Sequence, residues 1–373
     1  MTMDEITRRS TLKLLAGAAV TGFLASGWRA EVWAQENLKG TGEVVVFDGG
    51  GAMGTALRGA YFEPFEKATG IKVIPAANMP PGAVRASVLA GAPAFDVMDF
   101  SGGQIGSLID EQLVEKIDYS LFPPQELQAY SPIKQNDYML PSLFYSLAMA
   151  YDKEAFGNNP PQTWADMWNV EKFPGKRSLH NAGDDVLAGC VFEIAMLADG
   201  ADPKNVYPID FDRAFKTLDK LKPSILRYWS AGAEPGQMLS EGSVSIASAW
   251  NGRISALKEK GIAVDLSWNQ AILQWDCWAV LKGAKNKENA MKFLAFVSQR
   301  EAQAKFSELI EYGPTNSEAF KLIAPDRAAR LPGNPASVAT QVVQDYSWWD
   351  QKDASGKTNV QKATELWQKW IAS

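Results

Sequence analysis

The sequence predicts an α/β protein of two lobes whose backbone crosses between them twice. Three observations carry this. Short apolar, strand-like runs alternate with amphipathic stretches in two separate parts of the chain, the mark of α/β regions with largely parallel sheets. Two longer apolar runs, LFYSLAMAY (143–151) and ILQWDCWAVL (272–281), stand at the joins between those parts. The length of 373 residues matches about two domains at roughly 150 residues each.

The elements follow in order. Arg8-Arg9 sit in TRRSTLK, followed by a mostly apolar run over 14–28 and then Val32-Trp33-Ala34. A basic segment, an apolar segment and a small residue at the end read as an export signal, here of the twin-arginine type, cleaved near Ala34. The run is short for a membrane span and diluted by Gly, Thr and Ser, since a span needs about 20 strongly apolar residues. The expected compartment is the periplasm. EVVVF (43–47) is the first strand; the glycine turn DGGGAMG and an amphipathic stretch over 56–68 come next, and Gly70 ends that stretch. Strands follow at 71–74 and 95–100, with helix-like segments at 84–90 and 104–109. Pro160-Pro161 and Trp164–Trp168 open the second region, whose pattern runs through 186–198, 211–221, 244–249 and 254–260. Helical periodicity returns at 289–297 and 301–309, and Trp367 and Trp370 share a face of a final helix. The expected division is 35–144 with 277–314 for one lobe, and 145–276 with 315–373 for the other.

Composition narrows the chemistry. Forty-three acidic against 37 basic residues leave a net charge of -6, which repels phosphate backbones, so nucleic acid is not an expected partner. One histidine, His180, rules out sites that need several imidazoles; it reads as a surface or cleft-rim residue. Cys190 and Cys277 are too few for a thiolate zinc cage. The periplasm permits a disulfide between them, but two buried free thiols are the expected state. No nucleophile elbow, Walker string, H-x-x-H or C-x-x-C is present. Gly49, Gly51 and Gly54 satisfy G-x-G-x-x-G between a strand and a helix, the pattern of a dinucleotide site. The acid that should end the second strand is missing, since that strand ends IPAANM. An exported NAD(P)-dependent oxidoreductase is therefore a remote alternative, and no cofactor is expected.

Several strings together resemble a known family. FEKATGIKV, FDVMDFSGG, SLFYSLAMAYDKEAF, TWADMWNVEKFPGK, EGSVSIASAWNGR and ILQWDCWAVLKGAKNKENAMKFLAFV are similar, in order and spacing, to periplasmic solute-binding proteins of ABC importers, polyamine-binding type. The resemblance spans about 42–370. It implies the two-lobed, type II Venus-flytrap fold, no catalysis, a monomer, and delivery of a captured solute to an ABC permease. It also implies cleft residues: Trp250 in AWNGR, Asp276 in QWDCWAV, Asp185 at the start of a second-lobe helix, Ser101 and Gly102 in the first lobe, and Gly50 and Gly51 at the first turn. Three departures from the polyamine pattern matter. The partner acid of Asp185 falls near Ala182, and the aromatic two before Asp276 is Gln274. Arg253 stands where those binders have a small residue. A guanidinium there would repel a diamine but matches a carboxylate. Asp276, with Asp185, would take an ammonium, and Trp250, Trp278 and Trp349 would enclose the methylenes and add cation–π contact. The expected ligand is a small zwitterionic ω-amino acid of the γ-aminobutyrate kind. A polyamine remains the alternative if Arg253 points away from the cleft, and a small organic acid if Asp276 does. Tyr145 and Tyr312 are further candidates for the cleft lining.

Overall fold

The computed structural model describes residues 37–77 and 79–373; the export segment and its cleavage position lie outside them. Ten strands form one sheet: β1 (Glu43–Asp48), β2 (Lys72–Ala77), β3 (Val97–Ser101), β4 (Leu140–Asp152), β5 (Arg177–His180), β6 (Ile225–Trp229), β7 (Ile246–Trp250), β8 (Val264–Val280), β9 (Gly313–Pro314) and β10 (Val342–Val343). The order is β2-β1-β3-β8-β4-β7-β5-β6, with β9 paired to β4 and β10 to β8. The sheet is more mixed than the sequence suggests. β1 pairs in parallel with β2 and β3, and β5 with β6 and β7. Between these blocks β8 and β4 run antiparallel to each other, with β3 against β8 and β7 against β4.

β4 is buried along almost its whole length, and β8 from Ala271 onward, as apolar strands covered on both faces are. Each passes from one core to the other. Leu140, Leu143 and Phe144 pack with the first core, and Leu147 to Tyr151 with the second. On β8 the switch falls between Ile272 and Leu273. That differs from the expected join at 276/277. The stretch after 315 also differs: Ala319, Ile323, Ala328 and Leu331 form a small cluster with Ala304 of the helix Arg300–Leu309. From Val342 the chain returns to the second core, touching the first once more at Tyr346. The β4–β8 ladder shifts register between Pro141 and Leu143 and between Leu147 and Met149. At the second shift β8 bows outward, Gln270 takes φ 62°, and its side-chain and main-chain oxygens accept from Trp164 N and Nε1 at 3.0 and 2.8 Å.

Local chemistry explains the element ends. Gly70 stops the helix Glu63–Thr69 in a left-handed conformation at φ 83°. The final helix Asn359–Ile371 opens on a capping box between Thr358 and Gln361. The expected single helix over 186–198 is two, Val186–Gly189 and Val191–Ala198, broken at Cys190 with φ 47°. His180 packs into the notch at Gly189, where an added Cβ would lie 2.3 Å from its Nδ1. His180 is thus a core residue, 2% exposed and edge-on to Trp229, and not a rim residue. Cys190 and Cys277 are buried free thiols in different cores.

Candidate functional site

A cavity of about 830 Å³ opens where the two cores meet. Its walls come from several elements. The turn after β1 contributes Gly49, Gly50 and Met53; β4 and β8 contribute Tyr145 and Asp276. Trp250 ends β7, and the helix Asn251–Glu259 that follows it directly contributes Arg253 and Glu259. The segment before β9 contributes Glu311 and Tyr312, and Arg327 closes the rim.

Arg253 sits on the second-lobe wall. It is exposed, and among the described residues it makes no hydrogen bond or ion pair. The other cavity arginine is engaged: Arg327 Nη1 lies 3.1 Å from Glu311 Oε1, and its Nε donates to Ser307 O at 3.1 Å. Arg253 is therefore the cavity cation left available to an anion. Trp250 forms the floor beside it. Its ring stands edge-on to Trp229 at 5.3 Å and presses on Gly232, where a Cβ would fall 2.5 Å from the indole. Its Nε1 is buried without a partner.

Asp276 stands on the first-lobe wall. Strand register sets it opposite Ser101 on β3 and Leu143 on β4. Its Oδ1 is buried and unpartnered. Burial pushes its carboxyl well above the usual range, the neighbouring Asp99 adds to that, and the Tyr145 phenol opposes it. Asp99 is buried as well, accepts from Ser142 Oγ at 2.6 Å, and is raised to about 7, mainly by burial. Burial also raises the Tyr312 phenol, which feels Asp276 on one side and Arg253 on the other. An open carboxyl group and an open guanidinium on opposite walls can hold a ligand carrying both charges, because each then finds its counter-ion.

Four of the ten expected residues line this cavity: Arg253, Asp276, Trp250 and Gly50. The other six do not. Trp278 lies on the Asp276 face of β8 but beyond the cavity's end, packed edge-on against Tyr61 and Phe293 in the first core. Trp349 is buried in the second core and donates from Nε1 to Glu193 at 2.8 Å. Asp185 spends its carboxylate capping a helix, accepting from Leu187 and Ala188 N–H at 2.9 and 3.0 Å. Ser101 is the residue before the helix Gly102–Asp110 and lies beside Tyr145 and Tyr346, not on the cavity wall. Gly102 is packed under Tyr346 and Trp275, with a Cβ clearance of only 2.6 Å. Gly51 begins the first helix at φ 49° and is exposed outside the lining. The turn's Gly50 N–H already donates to Asp48 Oδ1 at 2.9 Å, and Asp48 also pairs with Arg58. A carboxylate beneath the turn opposes a pyrophosphate there.

Several residues of this site carry no local signal. Asn251 is buried between the lobes, accepting from Ser146 N at 2.9 Å and donating to Glu311 O at 3.3 Å. Asp99 was hidden because the β3–β8 register joins positions far apart in sequence. An acid in the apolar run FDVMDF was the available hint.

A profile of bacterial extracellular solute-binding proteins matches residues 60–336. The chain belongs to that family. A γ-aminobutyric acid-binding protein of Pseudomonas aeruginosa is 36% identical across 82% of this chain and 86% of its own. A spermidine/putrescine-binding periplasmic protein of Salmonella typhimurium is 28% identical across 71% of this chain and 76% of its own. An ABC transporter substrate-binding protein from Bradyrhizobium japonicum superposes with a TM-score of 0.80 at 35% identity, covering 88% of this chain and 99% of that one. Solute-binding proteins of ABC importers bind small molecules for uptake and are not enzymes. No described helix is long and apolar enough to cross a membrane.

Proposed function

We propose that this solute-binding protein captures a zwitterionic ω-amino acid of the γ-aminobutyrate kind, closes over it, and presents it to an ABC permease in the inner membrane. The observation that carries the reading is one cavity with two unpaired opposite charges, Arg253 on the second-lobe wall and Asp276 on the first. The ligand carboxylate meets the planar fork of Arg253 and its ammonium meets Asp276, while Trp250 and Tyr145 cover the methylenes. Closure about β4 and β8 brings the two walls together. The γ-aminobutyric acid-binding relative supports this choice. The leader before Ala34, of twin-arginine type, delivers the chain to the periplasm, where its named relatives include periplasmic proteins.

A polyamine is the second reading. It draws on the extra acid Glu259, which lines the cavity without an ion-pair partner among the described residues, and on the polyamine-binding relative.

A thermal-shift panel on chain stripped of endogenous solute decides between them. A ligand at a hundred times its Kd adds about 2.7 kcal/mol of stability, roughly 5 °C for a protein of this size. The expected result is a shift with γ-aminobutyrate, with putrescine, spermidine and malate inert. Loss of that shift in Arg253→Ala completes the case. A shift with putrescine that survives Arg253→Ala would assign the cavity to diamines.

A further inference from the structure

A second carboxylate, Asp99, lies behind the cavity wall that Asp276 forms. On the β3–β8 ladder Asp99 faces Trp278 and Ser101 faces Asp276. Side chains two residues apart on a strand share a face, so Asp99 and Asp276 are diagonal neighbours on one face, roughly 7 Å apart on an ideal ladder. Asp99 is only 8% exposed and lies one step deeper than Asp276.

The groups packed around the pair come from five places. β4 supplies Ser142 and Tyr145, and β8 supplies Cys277. Tyr61 reaches in from the turn Arg58–Phe62, Tyr312 from the segment before β9, and Tyr346 from the short helix Tyr346–Trp349. All are neutral hydroxyls or a thiol. Among the described residues neither acid has a lysine, arginine or histidine partner. Two carboxylates in a poorly solvated wall with no cation cannot both stay ionised at little cost. The cation must come from the cavity, or a proton must take its place.

We infer that Asp99 is a specificity-determining residue for the ammonium end of the ligand: with Asp276 it forms a two-carboxylate well that holds a proton when empty and exchanges it for the ammonium on capture. This rests on the reading that the solute carries an ammonium at Asp276. In the exchange one carboxyl O–H bond breaks, its proton leaves through the cavity to water, and the ligand's N–H groups donate to the two carboxylates. Nothing is oxidised or reduced. The raised titration of Asp99, to about 7, agrees with a well that is partly protonated near neutral pH. The ammonium favours the ionised pair, so binding is strongest above that value. It weakens about tenfold per pH unit as pH falls below it, until the complex itself takes up the proton.

Titration calorimetry of γ-aminobutyrate into the purified chain tests this at pH 6, 7 and 8, in two buffers of different ionisation enthalpy. We expect close to one proton released per ligand at pH 6 and fewer at pH 8, with Kd rising about fivefold from pH 7 to 6. Asp99→Asn keeps the shape and the acceptor for Ser142, and should at least halve the proton release and move the loss of affinity to lower pH by about one unit. Ser142→Ala removes the donor that steadies the Asp99 anion and should move the loss upward by about half a unit. Ligand bound without proton release, or variants that both keep the wild-type pH profile, would overturn the inference while leaving the receptor reading intact. If γ-aminobutyrate is inert and putrescine binds, the ligand assignment fails, and the same proton count on putrescine decides the role of Asp99. If malate binds and no amine does, both fall.

Discussion

Arg253 and Trp349 show what single residues reveal and conceal. Arg253 was legible because a guanidinium in place of a small residue changes the charge a ligand must bring, whatever the surrounding geometry. Its site role gives a direct test: Arg253→Ala should weaken γ-aminobutyrate binding about thirtyfold by calorimetry, the scale of removing one side of a charged pair, with little effect on Tm because the side chain is exposed. Trp349 was assigned to the same cleft, and the fold buries it instead beneath the second core against Glu193. Trp349→Phe should therefore leave ligand affinity within twofold of wild type. It should lower Tm by several degrees, since Glu193 loses a buried donor worth about 1–3 kcal/mol. Asp185 was misread for a related reason. Its type suits an ammonium, but the neighbouring backbone N–H groups claim its oxygens first, and a capping aspartate looks the same in sequence as a ligand-binding one.

The elements were easier to read than their registers. Apolar runs at 143–151 and 272–281 announced two buried strands, and both are there, β4 longer at each end and β8 longer at its start. The sequence pattern does not say which residue of β8 lies opposite which residue of β3 or β4, because pairing over such separations is decided by the whole fold. That is why Trp278, on the same face of β8 as Asp276, was expected in the cleft: the face is cavity at one residue and core two residues on. Asn251 was passed over for a similar reason, since its value lies in tying three distant elements. Asn251→Ala strands a buried N–H at Ser146 and a carbonyl at Glu311. That should cost about 3 kcal/mol, seen as a fall of roughly 5 °C in Tm. A surface asparagine such as Asn205 changed in the same way should shift Tm by less than 1 °C.

At the scale of the molecule, the two cores share their strands. β4 and β8 each belong to both, and the sheet runs unbroken from β2 to β6. Neither lobe can lose its sheet without stripping ladder partners from the other, so differential scanning calorimetry should record one unfolding transition, with matching calorimetric and van't Hoff enthalpies. Two resolved peaks would show that the lobes melt independently. The shared strands also act as a torsion bar. Of their two register shifts, the one at Pro141/Leu143 lies opposite Asp276, while the one at Leu147/Met149 lies away from Asp276 and Asp99. A receptor whose open and closed forms differ by a small twist binds in proportion to how often it closes. Stiffening or loosening the shift at Leu147/Met149 would then retune how strongly every ligand is held while leaving their ranking untouched. Appetite and taste are set in separate parts of this chain, so selection can adjust the first to a scarce or plentiful habitat without rewriting the second.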